Sequence, residues 1–152
     1  MLNAVALCLG VGFAEELLFR GWLLGELSLL IGPQRALGLQ ALVFSLVHTR
    51  FNMPVLQCLG LLLGLFLLGL VLALQSRADG GLLWGAIGLH GGLVGGWFLL
   101  HEGLGTLSPG APIWLTGPGN PLGGLVGGFG LALLLLVRRR WWRPATNDSV
   151  SF

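Results

Sequence analysis

Three long stretches without Asp, Glu, Lys or Arg constrain this chain most: residues 51–76, 80–100 and 103–137. A helix needs about 20 apolar residues to cross a hydrocarbon layer roughly 30 Å thick. The first two stretches and the core of the third reach that length. Because 55% of the residues are hydrophobic and only 9% are charged, the composition is typical of an integral membrane protein. The sequence therefore predicts a multi-pass protein whose main surroundings are the lipid bilayer, and nothing in it suggests a nucleic-acid partner.

Helix breakers between the apolar runs divide the chain into five predicted helices. Proline cannot continue a helix and glycine favours its end, so the Gly32-Pro33 pair separates the first two. The Gly- and Pro-rich residues 101–121 predict an ordered loop. We therefore predict an all-α, polytopic transmembrane bundle, in one domain over residues 1–140 with a short polar tail at 141–152. The predicted helices cover residues 3–30, 33–48, 54–76, 80–100 and 122–140.

Arginines are distributed unevenly along the chain, and this predicts a topology. A basic cluster directly follows the last apolar run, and arginine accumulates on the cytoplasmic side of membranes. With five crossings and a cytoplasmic C-terminus, Arg35 and Arg77 also lie inside and only Arg50 lies outside. The cluster consists of Arg138, Arg139, Arg140 and Arg143, beside Trp141 and Trp142.

Glycines at four-residue spacing recur in the apolar runs, as at Gly60 and Gly64 or at Gly88, Gly92 and Gly96. Small residues in such stripes let helix backbones approach closely in lipid. We therefore expect close helix packing, with a compact core around the fourth predicted helix.

Ionisable side chains within apolar helices are costly, so those present are expected to face the protein interior. On the first helix, Glu16 and Arg20 stand four residues apart, which is the spacing of an ion pair on one helical face. A purely structural role is sufficient to explain that pair. Glu15 is rotated by roughly 100° from Glu16 and lacks that partner. It is a candidate general base if an imidazole approaches it. Glu26, near the helix end, is expected to be solvated.

Two histidines lie in other predicted helices. Phe44 and His48 are four residues apart on the second helix, so the phenyl ring can pack beside the imidazole. His90 lies on the fourth helix with glycines on both sides. Either histidine alone could be an interhelical hydrogen-bonding residue. Together with Glu15 they form a set of one carboxylate and two imidazoles on three helices, which predicts a functional site.

The three motifs together resemble those of a known family. Glu15 to Arg20 reads EELLFR, an EExxxR motif; Phe44 to His48 reads FSLVH, an FxxxH motif; and His90 lies on a later helix. This combination is similar to the CPBP family, the CAAX prenyl endopeptidase and bacteriocin-processing group also called Abi proteins. The resemblance implies an intramembrane endopeptidase of the glutamate type that needs no metal or other cofactor. Its substrate would be a protein or peptide in or near the membrane.

The resemblance also implies a role for each motif residue. Glu15 and His48 would activate a water for attack on a peptide carbonyl, and His90 would help to stabilise the developing oxyanion. The family's third motif is often HxxxN, but Val94 occupies the asparagine position here. The segment GNPLGG at residues 119–124 looks similar to cyanobacterial members, which implies a plasma or thylakoid membrane. The supporting residues would be Glu16, Arg20 and Phe44.

Two other functions are compatible with the same residues. Glu15, His48 and His90 could instead supply three ligands to a catalytic zinc with one open position, although the sequence contains no HExxH. A noncatalytic membrane scaffold or binding protein on the same fold is the other alternative, and Val94 favours it.

Overall fold

The computed structural model describes residues 2–100, 112–117 and 120–137. Throughout these residues the chain is helical or in turns and has no strand, which confirms the predicted all-α fold of about five helices. Most of the predicted 101–121 loop, the basic and Trp cluster and the 141–152 tail lie outside the described residues. The elements are α1 (Leu2–Glu16), a π-helical segment (Leu17–Leu23), α2 (Leu24–Ile31), α3 (Pro33–His48), α4 (Val55–Ala78), α5 (Trp84–Leu99), α6 (Ile113–Thr116), a 3-10 turn (Pro121–Gly123) and α7 (Leu125–Val137).

The first predicted helix is continuous from Leu2 to Ile31 but is not α-helical throughout, because a π-helical segment separates α1 from α2. Gly32 ends α2 with a φ of 84°, which an L-residue with a side chain rarely adopts. Pro33 then begins α3, where its missing N–H is not needed by the helix. The bounds of α3 agree with the prediction of 33–48.

Helix α4 forms the centre of the fold. Its 24 residues span about 36 Å at 1.5 Å per residue. Eleven of its residues are buried, against five in α5. The expectation of a core around the fourth predicted helix, which corresponds to α5, is therefore wrong: the longer third predicted helix contacts more neighbours and buries more side chains.

By length and apolar composition, α4 is the one helix in the described part of the chain that could cross a membrane unaided. Helix α7 is apolar but shorter. The remaining helices fall short for different reasons, since α3 and α5 have 16 residues each and the first helix is divided by the π-helical segment. Many large apolar side chains nevertheless face outward, including Leu29, Val55 and Leu136.

Glycines allow close approaches between backbones. A Cβ atom on Gly12 would lie 3.0 Å from the Cα atom of Gly91, so α1 and α5 are in near contact there. On α4, a Cβ atom on Gly60 would lie 2.7 Å from the carbonyl oxygen of Gly123, and one on Gly64 would overlap the carbonyl of Leu122. The stripe of Gly60 and Gly64 was expected to contact another helix. It contacts the 3-10 turn instead, so this turn packs against the first half of α4.

Candidate active site

The three residues predicted to form a site come from α1, α3 and α5 and meet at one carboxylate oxygen. Glu15 Oε2 lies 3.0 Å from His48 Nε2 and 3.7 Å from His90 Nε2. The Glu15 side chain is 26% exposed, whereas that of His90 is 5% exposed. The Glu15 side chain is thus partly exposed, whereas its oxygen that faces the imidazoles is buried.

The orientation of His48 is fixed by its own helix. Its Nδ1 atom lies 2.8 Å from the carbonyl oxygen of Phe44. A carbonyl only accepts hydrogen bonds, so Nδ1 carries the hydrogen and Nε2 of the neutral ring presents a lone pair to Glu15. A lone pair and a carboxylate oxygen at 3.0 Å repel each other unless a proton lies between them. This repulsion favours uptake of a proton by the pair, which converts the contact into an ion pair.

This close contact does not satisfy Glu15 fully. Among the described residues, no donor is aligned for a hydrogen bond to its Oε2 atom. The contact with His48 is thus short enough for an ion pair but poorly angled for a hydrogen bond. Oε2 is itself buried, so a water can approach Glu15 only along the exposed part of its side chain.

Glu16 has a different environment from its neighbour. Its side chain is fully buried, and Oε1 accepts hydrogen bonds of 2.8 Å from Arg20 Nη1 and from His90 Nδ1. The predicted ion pair with Arg20 is present. The bond to His90 was not predicted; it directs the other ring nitrogen of that histidine toward Glu15.

Arg20 connects this pair to the neighbouring helices. Its Nη2 atom donates a 3.2 Å hydrogen bond to the carbonyl oxygen of Gly69 on α4. Its guanidinium carbon lies 4.6 Å from the centre of the Phe44 ring on α3, which is a cation–π distance. A Cβ atom on Gly69 would lie 2.9 Å from the Cα atom of Ala41, so α3 and α4 are close at this level.

An aromatic cluster supports the histidines. The centre of the Phe44 ring lies 4.4 Å from that of His48 and 5.8 Å from that of His90. Phe19 packs edge-on against Phe44 at 5.0 Å. Sequence reasoning missed Phe19, although its position four residues after Glu15 is a signal that could have identified it.

The carboxylates occupy the last turn of α1, and Arg20 lies inside the π-helical segment that follows. Such segments have i→i+5 hydrogen bonds and occur often at functional sites.

A cavity of about 280 Å³ adjoins His48 at the end of α3. Its walls come from the loop after α3, the first half of α4 and the segment around the 3-10 turn. Sequence reasoning did not assign these residues to a site. They are Arg50, Met53, Gln57, Leu61, Asn120 and Gly123.

The described residues contain no group of three or more His, Cys, Asp or Glu arranged to hold a metal ion. Cys8 and Cys58 are both free thiols. Val94, which occupies the expected asparagine position, is half-buried.

Comparison with known proteins gives one family. The model for the type II CAAX prenyl endopeptidase Rce1-like family matches residues 1–96, a range that includes Glu15, His48 and His90. No curated protein and no solved structure matches the chain.

Proposed function

We infer that Glu15 and His48 activate a water for hydrolysis of a peptide bond, because this chain belongs to the type II CAAX prenyl endopeptidase Rce1-like family. Membership makes the chain a membrane-embedded hydrolase of the CAAX-protease type. The observation that supports the finer proposal is the position of Glu15 Oε2, which faces Nε2 of both histidines. The substrate that fits is a protein or peptide in or near the membrane.

In the proposed reaction, a water approaches Glu15 from its exposed side. The Glu15–His48 pair takes one proton from the water as its oxygen bonds to the carbonyl carbon of the substrate. The same proton then passes to the nitrogen of the leaving amine as the peptide bond breaks. The products are a carboxylic acid and an amine, and the pair returns to its initial protonation.

His90 is proposed to stabilise the oxyanion. Its Nδ1–H donates to Glu16, so Nε2 can donate to an oxyanion only when the ring is an imidazolium. Two carboxylates, Glu15 and Glu16, then balance two cations, Arg20 and His90. The buried charges therefore sum to zero in the state that we propose for catalysis, which limits the cost of burying them.

Site-directed variants test this proposal. We expect the purified protein in liposomes to cleave membrane proteins of its host, and new N-termini found by mass spectrometry identify the cleaved bonds. Glu15→Gln and His48→Ala should each reduce cleavage at least a hundredfold, as expected for loss of a general base. Glu26→Gln, which alters an exposed carboxylate in α2, is the matched control. Turnover retained by Glu15→Gln or His48→Ala contradicts the assigned roles.

Two further measurements separate the alternatives. Independence of metal requires full activity with a zinc chelator; loss of activity together with stoichiometric metal in the protein would indicate a zinc peptidase instead. A noncatalytic scaffold requires that Glu15→Gln complements a deletion strain as well as the wild type does. The peptidase proposal expects this complementation to fail.

We also propose the predicted topology: a multi-pass domain over residues 1–140 in a plasma or thylakoid membrane, with a cytoplasmic C-terminus. The basic cluster after the last apolar run supports it. A reporter fused to the C-terminus should be active only in the cytoplasm, whereas one inserted beside Arg50 should be active only on the opposite side.

A further inference from the structure

The cavity beside His48 differs from the proposed catalytic site in its chemistry. Among the described residues, its walls contain a cation and two side-chain amides but no carboxylate. We propose that it is a substrate subsite that binds a carboxylate of the peptide, with Arg50 as the counterion and Asn120 as a second donor. This inference rests on the proposed function, because His48 forms one wall of the cavity and the bound group would belong to the peptide that is cleaved.

Arg50 gives the cavity a positive charge. Arg50 is exposed, and within the described part of the chain no carboxylate lies within 4 Å of its guanidinium group. A guanidinium group presents a planar fork of N–H donors that matches the two oxygens of a carboxylate. Arg50 is thus available to an acidic partner from outside the chain, at a cavity that leads to His48.

Asn120 supplies the second donor of the cavity. Its Oδ1 atom accepts a 3.0 Å hydrogen bond from the backbone nitrogen of Leu122, which caps the 3-10 turn. An amide whose oxygen is held in this way retains two N–H donors on its nitrogen. The close approach of the turn to Gly60 and Gly64 fixes the backbone that carries this amide.

The remaining walls fit the rest of an acidic residue. Gln57 adds a second amide, whereas Met53 and Leu61 present apolar surface. A peptide segment bound there could place its methylene groups against the apolar side chains and its carboxylate between Arg50 and Asn120. The carboxylate could come from an Asp or Glu side chain or from the C-terminus of the peptide.

The experiment uses peptides built on a bond that the wild-type protein cleaves. In one series, each Asp or Glu near the bond is replaced by its amide; in the other, the C-terminal carboxylate is replaced by a carboxamide. The ratio of kcat/KM for acid and amide peptides is then measured. We expect the wild type to prefer one acidic peptide about fivefold, the effect of a single solvent-accessible ion pair. The series in which the preference appears identifies the source of the carboxylate.

Three variants test the assignment. Arg50→Gln should reduce the ratio to about one, mainly through KM, and Arg50→Lys should restore part of it. Asn120→Asp keeps an oxygen that can accept the bond from Leu122 but adds a negative charge, so it should reverse the preference. Arg35→Gln, which removes an exposed arginine from the start of α3, should leave the ratio unchanged.

The outcomes distinguish the subsite from the peptidase. Glu15-dependent cleavage with no acid preference, or with a preference that Arg50→Gln retains, overturns the subsite and leaves the peptidase intact. Absence of any Glu15-dependent cleavage overturns the proposed function, and the subsite with it.

Discussion

Replacing Glu16 by glutamine should destabilise this fold far more than the same change at Glu15, although the two residues are adjacent. Glu16 is fully buried, and one of its oxygens accepts hydrogen bonds from Arg20 and His90. The Glu15 side chain is 26% exposed and lacks an aligned donor among the described residues. The expected difference therefore arises from charge and burial rather than from side-chain size.

The size of the effect follows from the two hydrogen bonds and the charge left behind. Bonds to a charged group contribute about 1 kcal/mol more than neutral ones, so two of them lose about 2 kcal/mol when the acceptor becomes an amide. Arg20, which is 5% exposed, would also lose its buried counter-charge, and breaking a buried ion pair costs about 3–5 kcal/mol. Since glutamine retains an acceptor oxygen, we expect a loss of about 3 kcal/mol for Glu16→Gln, and less than about 1 kcal/mol for Glu15→Gln.

Unfolding by SDS in mixed micelles measures the free energy of unfolding of each variant. Glu26→Gln is the control for loss of an exposed carboxylate in the neighbouring helix α2. Turnover is measured on the same samples, and Glu15→Gln should be inactive but nearly as stable as the wild type. Surface substitutions usually change the free energy of unfolding by less than about 0.5 kcal/mol. If the values for Glu16→Gln and Glu26→Gln differ by no more than that, the buried charge of Glu16 does not stabilise the fold as we expect.

Three other changes have expected outcomes. Phe44→Leu removes the ring between the guanidinium group of Arg20 and the imidazoles. The free energy of unfolding should fall by about 2 kcal/mol, and kcat should fall with it. An unchanged kcat would show that the ring is not needed to orient the imidazoles. Gly64→Ala would overlap the carbonyl of Leu122 and should cost about 1–3 kcal/mol in SDS unfolding, whereas Gly38→Ala has open space and should cost nothing; equal stabilities would contradict the close approach. Val94→Asn places a hydrogen-bond donor one turn after His90 and should raise kcat about tenfold without changing KM. Loss of a native oxyanion donor lowers kcat by about 10²–10³, and a donor added by substitution is expected to recover only part of that factor. An unchanged kcat would mean that the oxyanion needs no donor from that position.

The sequence predicted best those features that depend on neighbouring residues. The bounds of α3 were correct because Gly32 and Pro33 restrict the backbone locally, whatever surrounds them. The predicted fourth helix started too early. Gly80 and Gly81 adopt φ values of 68° and 89°, so the turn continues past them and α5 begins at Trp84.

Features that depend on distant contacts could not be predicted. The bond between Glu16 and His90 joins residues 74 positions apart, and no spacing rule covers such a pair. The cavity combines α3 and α4 with the 3-10 turn, so its existence depends on how these elements pack. Composition and helix length predicted the membrane character of the chain but not which of its side chains would meet.

The division of roles between two adjacent glutamates follows from their directions on one helix. Successive residues of an α-helix point about 100° apart, so a pair such as Glu15 and Glu16 cannot share one environment. One carboxylate is fully buried and is held by Arg20 and by His90 on α5. The other belongs to a partly exposed side chain and faces the ring nitrogens of His48 and His90 without an aligned hydrogen bond. Two carboxylates in such different surroundings can serve as structural anion and as base at the same pH, because the surroundings determine which of them can accept a proton. Since Glu16 fixes His90 and His90 faces Glu15, the anchored carboxylate also positions one of the groups that act beside the reactive one.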